Sequence, residues 1–171
     1  MRPPDFVLKY DPMEIPELAK QYLATFDDKD REMEDAGKRI LSGEFTFSNL
    51  EIICKWLSAR NIQLLDRNPI KIERALEHAI SAMGVKEAVC SLTQLDGIAV
   101  KRASAILAAM YPKRYAVMSI YSLESLGVKD SGSVYIYLHY LDFCLRLAEK
   151  YRITMRELDR ANWQWWSKRK M

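Results

Sequence analysis

The chain has 171 residues, 49% apolar and 29% charged, and carries a formal net charge of +3. This composition is ordinary for globular proteins and excludes wholesale disorder, and the length suffices for one large domain or two small helical lobes. Every apolar run is short and interrupted by charge, and no stretch of signal-peptide type follows Met1–Asp5, so we expect neither a membrane span nor a secretory leader.

In the first half of the chain, apolar residues recur at helical spacing, and alternation of the β type is almost absent. Glu14–Ala24 is predicted to be a helix, and so is the charged segment Asp27–Arg39 that follows it. Ser48–Glu51 has the pattern of a capping box that opens a third helix. Asn68–Pro69 is predicted to open a fourth helix, which ends near Gly84.

The middle of the chain predicts a helix-hairpin-helix over residues 85–111, built from the helices Val85–Leu95 and Val100–Tyr111. The turn between them needs Gly97, because a positive φ has little cost only in a residue without a Cβ. Ile98 is expected to anchor the turn as an apolar plug. The second helix is expected to bury one apolar stripe: Ala99, Ala103, Ile106, Leu107 and Met110.

Three more helices are predicted after the hairpin. They cover Ser119–Leu126, Ser133–Lys150 and a final segment opened by the capping box Thr154–Glu157. In the long helix, Leu145 is expected to face inward. The predicted fold is therefore all-α: one compact helical unit over residues 1–171, in which the N-terminal and C-terminal helices form a second lobe.

The three cysteines argue against cross-links and against a metal centre. Cys54, Cys90 and Cys144 are far apart, and each lies inside an apolar helical pattern. An odd number of isolated cysteines disfavours a disulfide framework, a zinc site and an iron–sulfur cluster. We therefore expect a reducing, cytoplasmic environment.

Positive charge is concentrated toward the C-terminal end. Residues 1–37 contain five Lys and Arg against ten Asp and Glu, whereas residues 100–171 contain thirteen against six. Such asymmetry is typical of a chain that presents a basic face to a polyanion. The alternative interpretation is chance clustering on a solvated surface.

Lys101 and Arg102 both fall in the first turn of the second hairpin helix, where the helix dipole already disfavours cations. Backbone N–H groups together with two cations make a good anion site, and phosphate is the obvious anion. The alternative is that both side chains simply extend into water.

The stretch Leu92–Leu126 resembles the helix-hairpin-helix DNA glycosylase superfamily, which includes endonuclease III and 8-oxoguanine glycosylase. The family pattern is Leu-Pro-Gly-Val-Gly-x-Lys-x-Ala, and five residues of this chain are in register with it: Leu95, Gly97, Ile98, Lys101 and Ala103. The resemblance implies a two-lobed helical bundle of the glycosylase type that binds double-stranded DNA in base excision repair.

The resemblance also implies roles for particular residues. The DNA-binding set would be the turn and the start of the second helix: Gly97, Ile98, Ala99, Val100, Lys101 and Arg102. The amides of Gly97–Val100 would contact a phosphate, either directly or through a monovalent cation, and no other cofactor or metal is implied. In bifunctional members the lysine that matches Lys101 attacks the sugar and forms a Schiff base, with the target base rotated out of the duplex.

Three departures from the family pattern bear on enzymatic activity. The family's catalytic aspartate lies eighteen residues beyond the lysine, and here that position is Ser119, whose neutral hydroxyl is a poor substitute for a carboxylate. Ala99 replaces the second glycine of the pattern, where a methyl group hinders close approach of a phosphate. No iron–sulfur cysteine cluster follows the core. Either Asp159 or Glu157 supplies the missing carboxylate, or the chain keeps the fold without the chemistry.

Other sequence features have simpler explanations. Asn162–Lys170 combines tryptophans with a basic end, which suits base stacking and phosphate contacts, but packing against the core is the favoured interpretation. His78 and His139 have no partner at metal-ligand spacing. No phosphate-binding glycine-rich loop is present.

Three interpretations of the function stay open. The first is a DNA glycosylase or abasic-site lyase that acts through Lys101, and the second is a DNA-binding protein of the same fold without catalysis. The third is a helical protein-interaction domain in which the hairpin is only a packing device. Salt-sensitive binding to duplex DNA separates the first two from the third.

Overall fold

The computed structural model describes residues 2–129 and 132–171, and within them the fold is all-α, as predicted. No β-strand occurs in this part of the chain. The described residues form eight α-helices: α1 (Ile15–Leu41), α2 (Phe47–Leu57), α3 (Ile72–Ser81), α4 (Val85–Thr93), α5 (Val100–Met110), α6 (Ile120–Ser125), α7 (Val134–Tyr151) and α8 (Met155–Lys170). Two 3₁₀ segments, Pro12–Glu14 and Ile62–Arg67, lie between them. Over these same residues, no helix has both the length and the apolar character needed to cross a membrane.

The chain divides into two compact units. Asp28–Tyr111 form the first, which we call the hairpin unit because it contains α4 and α5. Met1–Asp27 and Pro112–Met171 form the second, the terminal unit, which contains α6, α7 and α8. Each unit has fully buried side chains of its own, such as Ile106 in the hairpin unit and Tyr137 in the terminal unit.

The two N-terminal segments predicted as separate helices, Glu14–Ala24 and Asp27–Arg39, form the single helix α1. No proline or glycine lies between them, so nothing ends the helix there. The ring of Phe26 at this point packs against Tyr22 and Trp163, with centroid distances of 5.1 and 4.8 Å. The apolar stripe therefore continues into the charged stretch and keeps it helical.

Two predicted helix starts were wrong. The N-cap of α2 is Thr46 and not Ser48, because the backbone is extended at Thr46 and its Oγ1 accepts a hydrogen bond from the Asn49 amide at 3.2 Å. Helix α3 begins at Ile72 and not at Asn68–Pro69. The Asn68 side chain bonds to a distant part of the chain, as described below.

The predicted starts of the last three helices are confirmed. The side chains of Ser119, Ser133 and Thr154 each accept a hydrogen bond from an amide in the first turn of α6, α7 and α8 respectively. Side-chain capping of this kind depends only on neighbours three residues away, so it is visible in the sequence.

The buried faces of two helices differ from the prediction. In α7 the face is rotated toward Tyr137 and Tyr140, which are 0% exposed, whereas Leu145 is 40% exposed. Tyrosine can be fully buried when its hydroxyl finds an acceptor, which apolar patterning does not reveal. In α5 every residue from Ala103 to Met110 is buried, but Ala99, expected in the same stripe, is exposed.

Helices α1 and α5 are in close contact at Gly37. A Cβ built there would collide with the backbone carbonyl group of Ala109 and would lie 2.8 Å from the Ala109 Cβ. Because backbone atoms cannot rotate away as a flexible side chain can, only glycine permits this spacing.

We predict that Gly37→Ala destabilises the protein by about 2 kcal/mol, because overpacking against backbone outweighs the better helix propensity of alanine. The matched control is Gly84→Ala, since nothing lies within 4 Å of a Cβ built there. Its effect should stay below about 1 kcal/mol. Urea unfolding monitored by circular dichroism measures both, and equal midpoints for the two variants would contradict the packing argument.

Candidate nucleic-acid interface

The hairpin turn joins α4 to α5 through residues 94–99, and its geometry depends on Gly97. This residue has φ of +82°, in the region that favours glycine. A Cβ added to it would lie 3.0 Å from the Leu64 Cβ and 3.2 Å from the Leu65 nitrogen. The turn therefore needs glycine for its backbone conformation, as predicted, and also for its packing on the Ile62–Arg67 segment.

Asn68 holds the turn from inside the hairpin unit. Its side chain donates to the Asp96 carbonyl at 2.8 Å and accepts from the Asp96 amide at 2.9 Å, and it also donates to the Leu65 carbonyl at 3.1 Å. The residue is 1% exposed, so these hydrogen bonds replace water at polar groups of the turn. Sequence reasoning missed this role, since the partner lies 28 residues away.

Arg102 also holds the turn. Its guanidinium donates from Nη1 to the Gly97 carbonyl at 2.7 Å, and from Nη2 to the carbonyls of Ser58 at 2.9 Å and Arg60 at 2.6 Å. The side chain was predicted to contact a phosphate, but here it ties the start of α5 to the segment after α2. Two of its three acceptors are more than 40 residues away, so no local pattern could have indicated them.

The start of α5 has the features expected of an anion site. Ala99 is its N-cap and forms no side-chain hydrogen bond to the helix, and no acidic residue lies in the first turn. The first amides of an α-helix have no acceptor within the helix. Ala99 is exposed and Lys101 partly exposed, whereas Val100 is buried.

One predicted phosphate donor is already used within the turn. The Ile98 amide donates to the Leu95 carbonyl at 3.2 Å, and the Ile98 side chain is 4% exposed. Ile98 therefore acts as the predicted apolar plug. Its amide already has an acceptor within the turn and is a poorer phosphate donor than the first amides of α5.

Ser119, the position of the family's aspartate, acts as a helix cap. Its Oγ accepts from the Ser122 amide at 3.1 Å, and the Ser122 Oγ accepts from the Ser119 amide at 2.8 Å. The two serines close a reciprocal capping box at the start of α6. The Ser119 hydroxyl, at the position where the resemblance implies a carboxylate, is thus hydrogen-bonded to the backbone of α6.

Asp159 is the suggested replacement carboxylate that reaches the loop before Ser119. Its Oδ2 accepts from the Val117 amide at 3.3 Å and from Arg156 Nη1 at 3.4 Å. The side chain is 7% exposed, and Oδ1 has no hydrogen-bond partner. Burial raises the pKa of Asp159 to about 7, against the opposing effect of Arg156 and the Val117 amide.

The loop that leads to Ser119 is fixed by two buried tyrosines. Tyr137 donates from its hydroxyl to the Ala116 carbonyl at 3.0 Å, and Tyr140 donates to the Val117 carbonyl at 2.7 Å. Both side chains are 0% exposed. This role could not be predicted from the sequence, because α7 contains other tyrosines and nothing local distinguishes the two that are buried.

The C-terminal tryptophans pack within the terminal unit, as favoured above. Trp163 lies edge-on to Tyr22 at 5.5 Å, and Trp165 stacks on Tyr10 at 5.6 Å. The indole of Trp166 donates to Glu124 Oε2 at 2.6 Å. These contacts explain the aromatic residues of α8 without a ligand.

The predicted site residues belong to different units. Lys101 lies in the hairpin unit, whereas Ser119, Asp159 and Glu157 lie in the terminal unit. Glu157 is in the first turn of α8, where its amide donates to Thr154 Oγ1 at 3.0 Å. Among the described residues, no group of three or more His, Cys, Asp or Glu side chains is placed to hold a metal ion.

Comparisons with protein-family models, with curated proteins and with solved structures found no match.

We predict that Asn68→Ala destabilises the protein by about 2 kcal/mol, because it leaves both polar groups of Asp96 without their partner. Gln94→Ala removes an exposed amide near the same turn and should cost less than about 0.5 kcal/mol. Urea unfolding gives both values. Hydrogen exchange at Asp96 and Gly97 should accelerate in the first variant only, and unchanged exchange there would show that Asn68 does not hold the turn.

We also predict a pH dependence of stability that comes from Asp159. Because its pKa in the folded protein is raised to about 7 from an ordinary value near 4, the folded state retains a proton that the unfolded chain releases. The resulting stabilisation is fully present below about pH 4 and is lost as the pH rises to about 7. The free energy of unfolding of wild type minus that of Asp159→Asn should therefore fall across this window.

The control for this measurement is Asp142→Asn on α7, because the side chain of Asp142 is 66% exposed. It corrects the comparison for the effect of pH on the protein as a whole and for the loss of one carboxyl group at an exposed position. A difference for Asp159→Asn that stays flat across this window means that the carboxyl titrates alike in both states.

Proposed function

We propose that the protein binds double-stranded DNA through the hairpin turn and the first turn of α5, as a two-lobed helix-hairpin-helix protein of the base-excision glycosylase type. The observation that carries the proposal is a turn at Gly97 held by Asn68 and Arg102, followed directly by a helix whose N-cap, Ala99, is exposed and forms no side-chain capping bond. Backbone amides and the helix dipole at such a start favour an anion.

The charges around the turn support a polyanionic partner. Lys101 lies in the first turn of α5 and is partly exposed. Arg102 is bonded to neutral carbonyls and not to a carboxylate in the contacts above, so its charge still adds to the positive potential at the turn. Phosphate contacts of this kind are independent of sequence and weaken with salt.

Asp96 is the one feature of the turn that opposes an anion. Its side chain is exposed at the residue before Gly97, and a carboxylate there repels phosphate. The hairpin thus contains two charges of opposite sign, Asp96 and Lys101. A bound phosphate would be repelled by the first and attracted by the second. This contrast makes the proposal testable by charge.

We propose binding without base release. The hydroxyl of Ser119 is used as the α6 cap, and the carboxylate of Asp159 is nearly excluded from solvent and bonded to Arg156 and Val117. Neither supports the stabilisation of positive charge on a sugar. The Schiff-base role of Lys101 therefore stays outside the proposal, and the experiment below checks it separately.

We predict that Lys101→Glu weakens binding of a 20-base-pair duplex at low salt by about tenfold and reduces the slope of log K against log salt by about 1. Asp96→Asn should strengthen binding about twofold or more, since it removes a repulsive charge. Fluorescence anisotropy measures both. The double variant of Lys101 and Arg102 is unsuitable, because Arg102 holds the turn.

The matched control is Lys38→Glu, whose side chain is 77% exposed. Lys38 follows Gly37, which packs on Ala109, and Ala109 is about 12 Å from Lys101 along α5. Binding should change less than twofold. Equal affinities of the Lys101→Glu and Lys38→Glu variants for the duplex would argue against the hairpin as the binding site. Absence of duplex binding at low salt would favour a protein-interaction domain. Borohydride treatment of the complex with an abasic duplex should trap no adduct, and a Lys101-dependent adduct would restore the lyase interpretation.

A further inference from the structure

A groove of about 620 Å³ runs between α3 and α4 in the hairpin unit. Its lining includes two cations, Lys71 at the N-cap of α3 and Arg74 on α3, and the imidazole of His78 one turn further on. They are separated by three and four residues, so they share one face of the helix, and all three are exposed. Neither the hairpin motif nor the charge asymmetry of the chain accounts for this row.

The opposite wall of the groove is nearly neutral. It contains Cys90 and Ser91 of α4 and Gln94 at its C-cap, with Glu87 as its one acidic residue. The Glu87 carboxylate lies at the far end, beside His78, and accepts a hydrogen bond from the Met83 amide at 2.9 Å. At the other end, beside Lys71 and Arg74, no acidic side chain lines the groove.

The basic end of the groove opens at the hairpin turn. Helices α3 and α4 are consecutive and contact each other, and Asn68, shortly before α3, bonds to Asp96, shortly after α4. Lys71 therefore lies toward the end where Gln94 and Leu95 lead into the turn. Lys71 also follows Asn68 by three residues, and Asn68 is bonded to Asp96 in the turn itself. The basic row therefore continues from the proposed phosphate site and is not a separate patch.

We propose that the α3–α4 groove is a second contact for the phosphate backbone of the duplex held at the hairpin, an inference that rests on the proposed function. From Lys71 to His78 the helix rises about 10 Å, which matches the axial length of about three phosphates in one strand. The two cations, Lys71 and Arg74, are exposed on adjacent turns, and the ring of His78 adds a polar group one turn further along this length. A site for a small anion would instead need charges that converge on one buried point.

Cys90 provides a reporter within the groove of the unmodified protein. It is partly exposed, whereas Cys54 and Cys144 are 0% exposed, and burial raises the pKa of the Cys54 thiol to about 12. A thiol reagent should therefore modify Cys90 first, and Cys90→Ser should abolish this fast phase. A duplex that lies over the groove shields Cys90, whereas a duplex held only at α5 leaves it open.

We expect a saturating 20-base-pair duplex to slow modification of Cys90 by about tenfold, and Arg74→Glu to weaken binding and lower the salt slope by about 1. Lys38→Glu should change neither the affinity by more than twofold nor the salt slope.

The groove inference is overturned, and the proposed function stands, if three results occur together. The duplex binds in a Lys101-dependent manner, Cys90 in the complex reacts at its original rate, and Arg74→Glu behaves like Lys38→Glu. If no duplex binds at low salt, both are overturned. Equal protection by inorganic tripolyphosphate at the same phosphate concentration would show a site for small anions and also overturns the inference.

Discussion

The hairpin depends on the pair of hydrogen bonds between the Asn68 side chain and the backbone of Asp96. The turn at Gly97 packs directly on Leu64, and the partly buried amide and carbonyl of Asp96 both find their partner in the Asn68 side chain. Asn68 forms both bonds from a fully buried position. A turn held in this way loses little conformational freedom when a ligand arrives, and pre-organisation of this kind favours binding by backbone amides. The start of α5 and the proposed groove along α3 both take their positions from this contact.

The two adjacent cations of α5 are used differently, and the difference follows from their chemistry. The guanidinium of Arg102 is planar with several fixed donors, and it spans three carbonyls that a lysine could not join. Lys101 has a single ammonium on a flexible stem, which suits contact with a phosphate whose position varies. One cation thus builds the turn, and the other is the proposed contact. Substituting both together would confuse stability with binding.

The start of α6 is held by a serine at the position where the resemblance to the glycosylases implies an aspartate. Serine and aspartate are both good N-caps, and Ser119 fills this role with a neutral hydroxyl. The loop before it is anchored independently by Tyr137, Tyr140 and Asp159. Asp159 is poorly solvated, which explains its raised pKa and fits a structural role better than a chemical one.

The sequence by itself determined the all-α fold, the position of the hairpin, the need for glycine at the turn, and the caps of α6, α7 and α8. These features depend on periodicity, on φ or on neighbours three residues apart, and such interactions are local. Only the tertiary structure decided that Asn68 caps the turn and not a helix, that Arg102 bonds to the segment after α2, that the Asp159 side chain is buried, and that α7 turns tyrosines to the core. Each of these depends on a partner more than 20 residues away, and the side-chain type alone does not say which distant carbonyl or amide will be within hydrogen-bond distance.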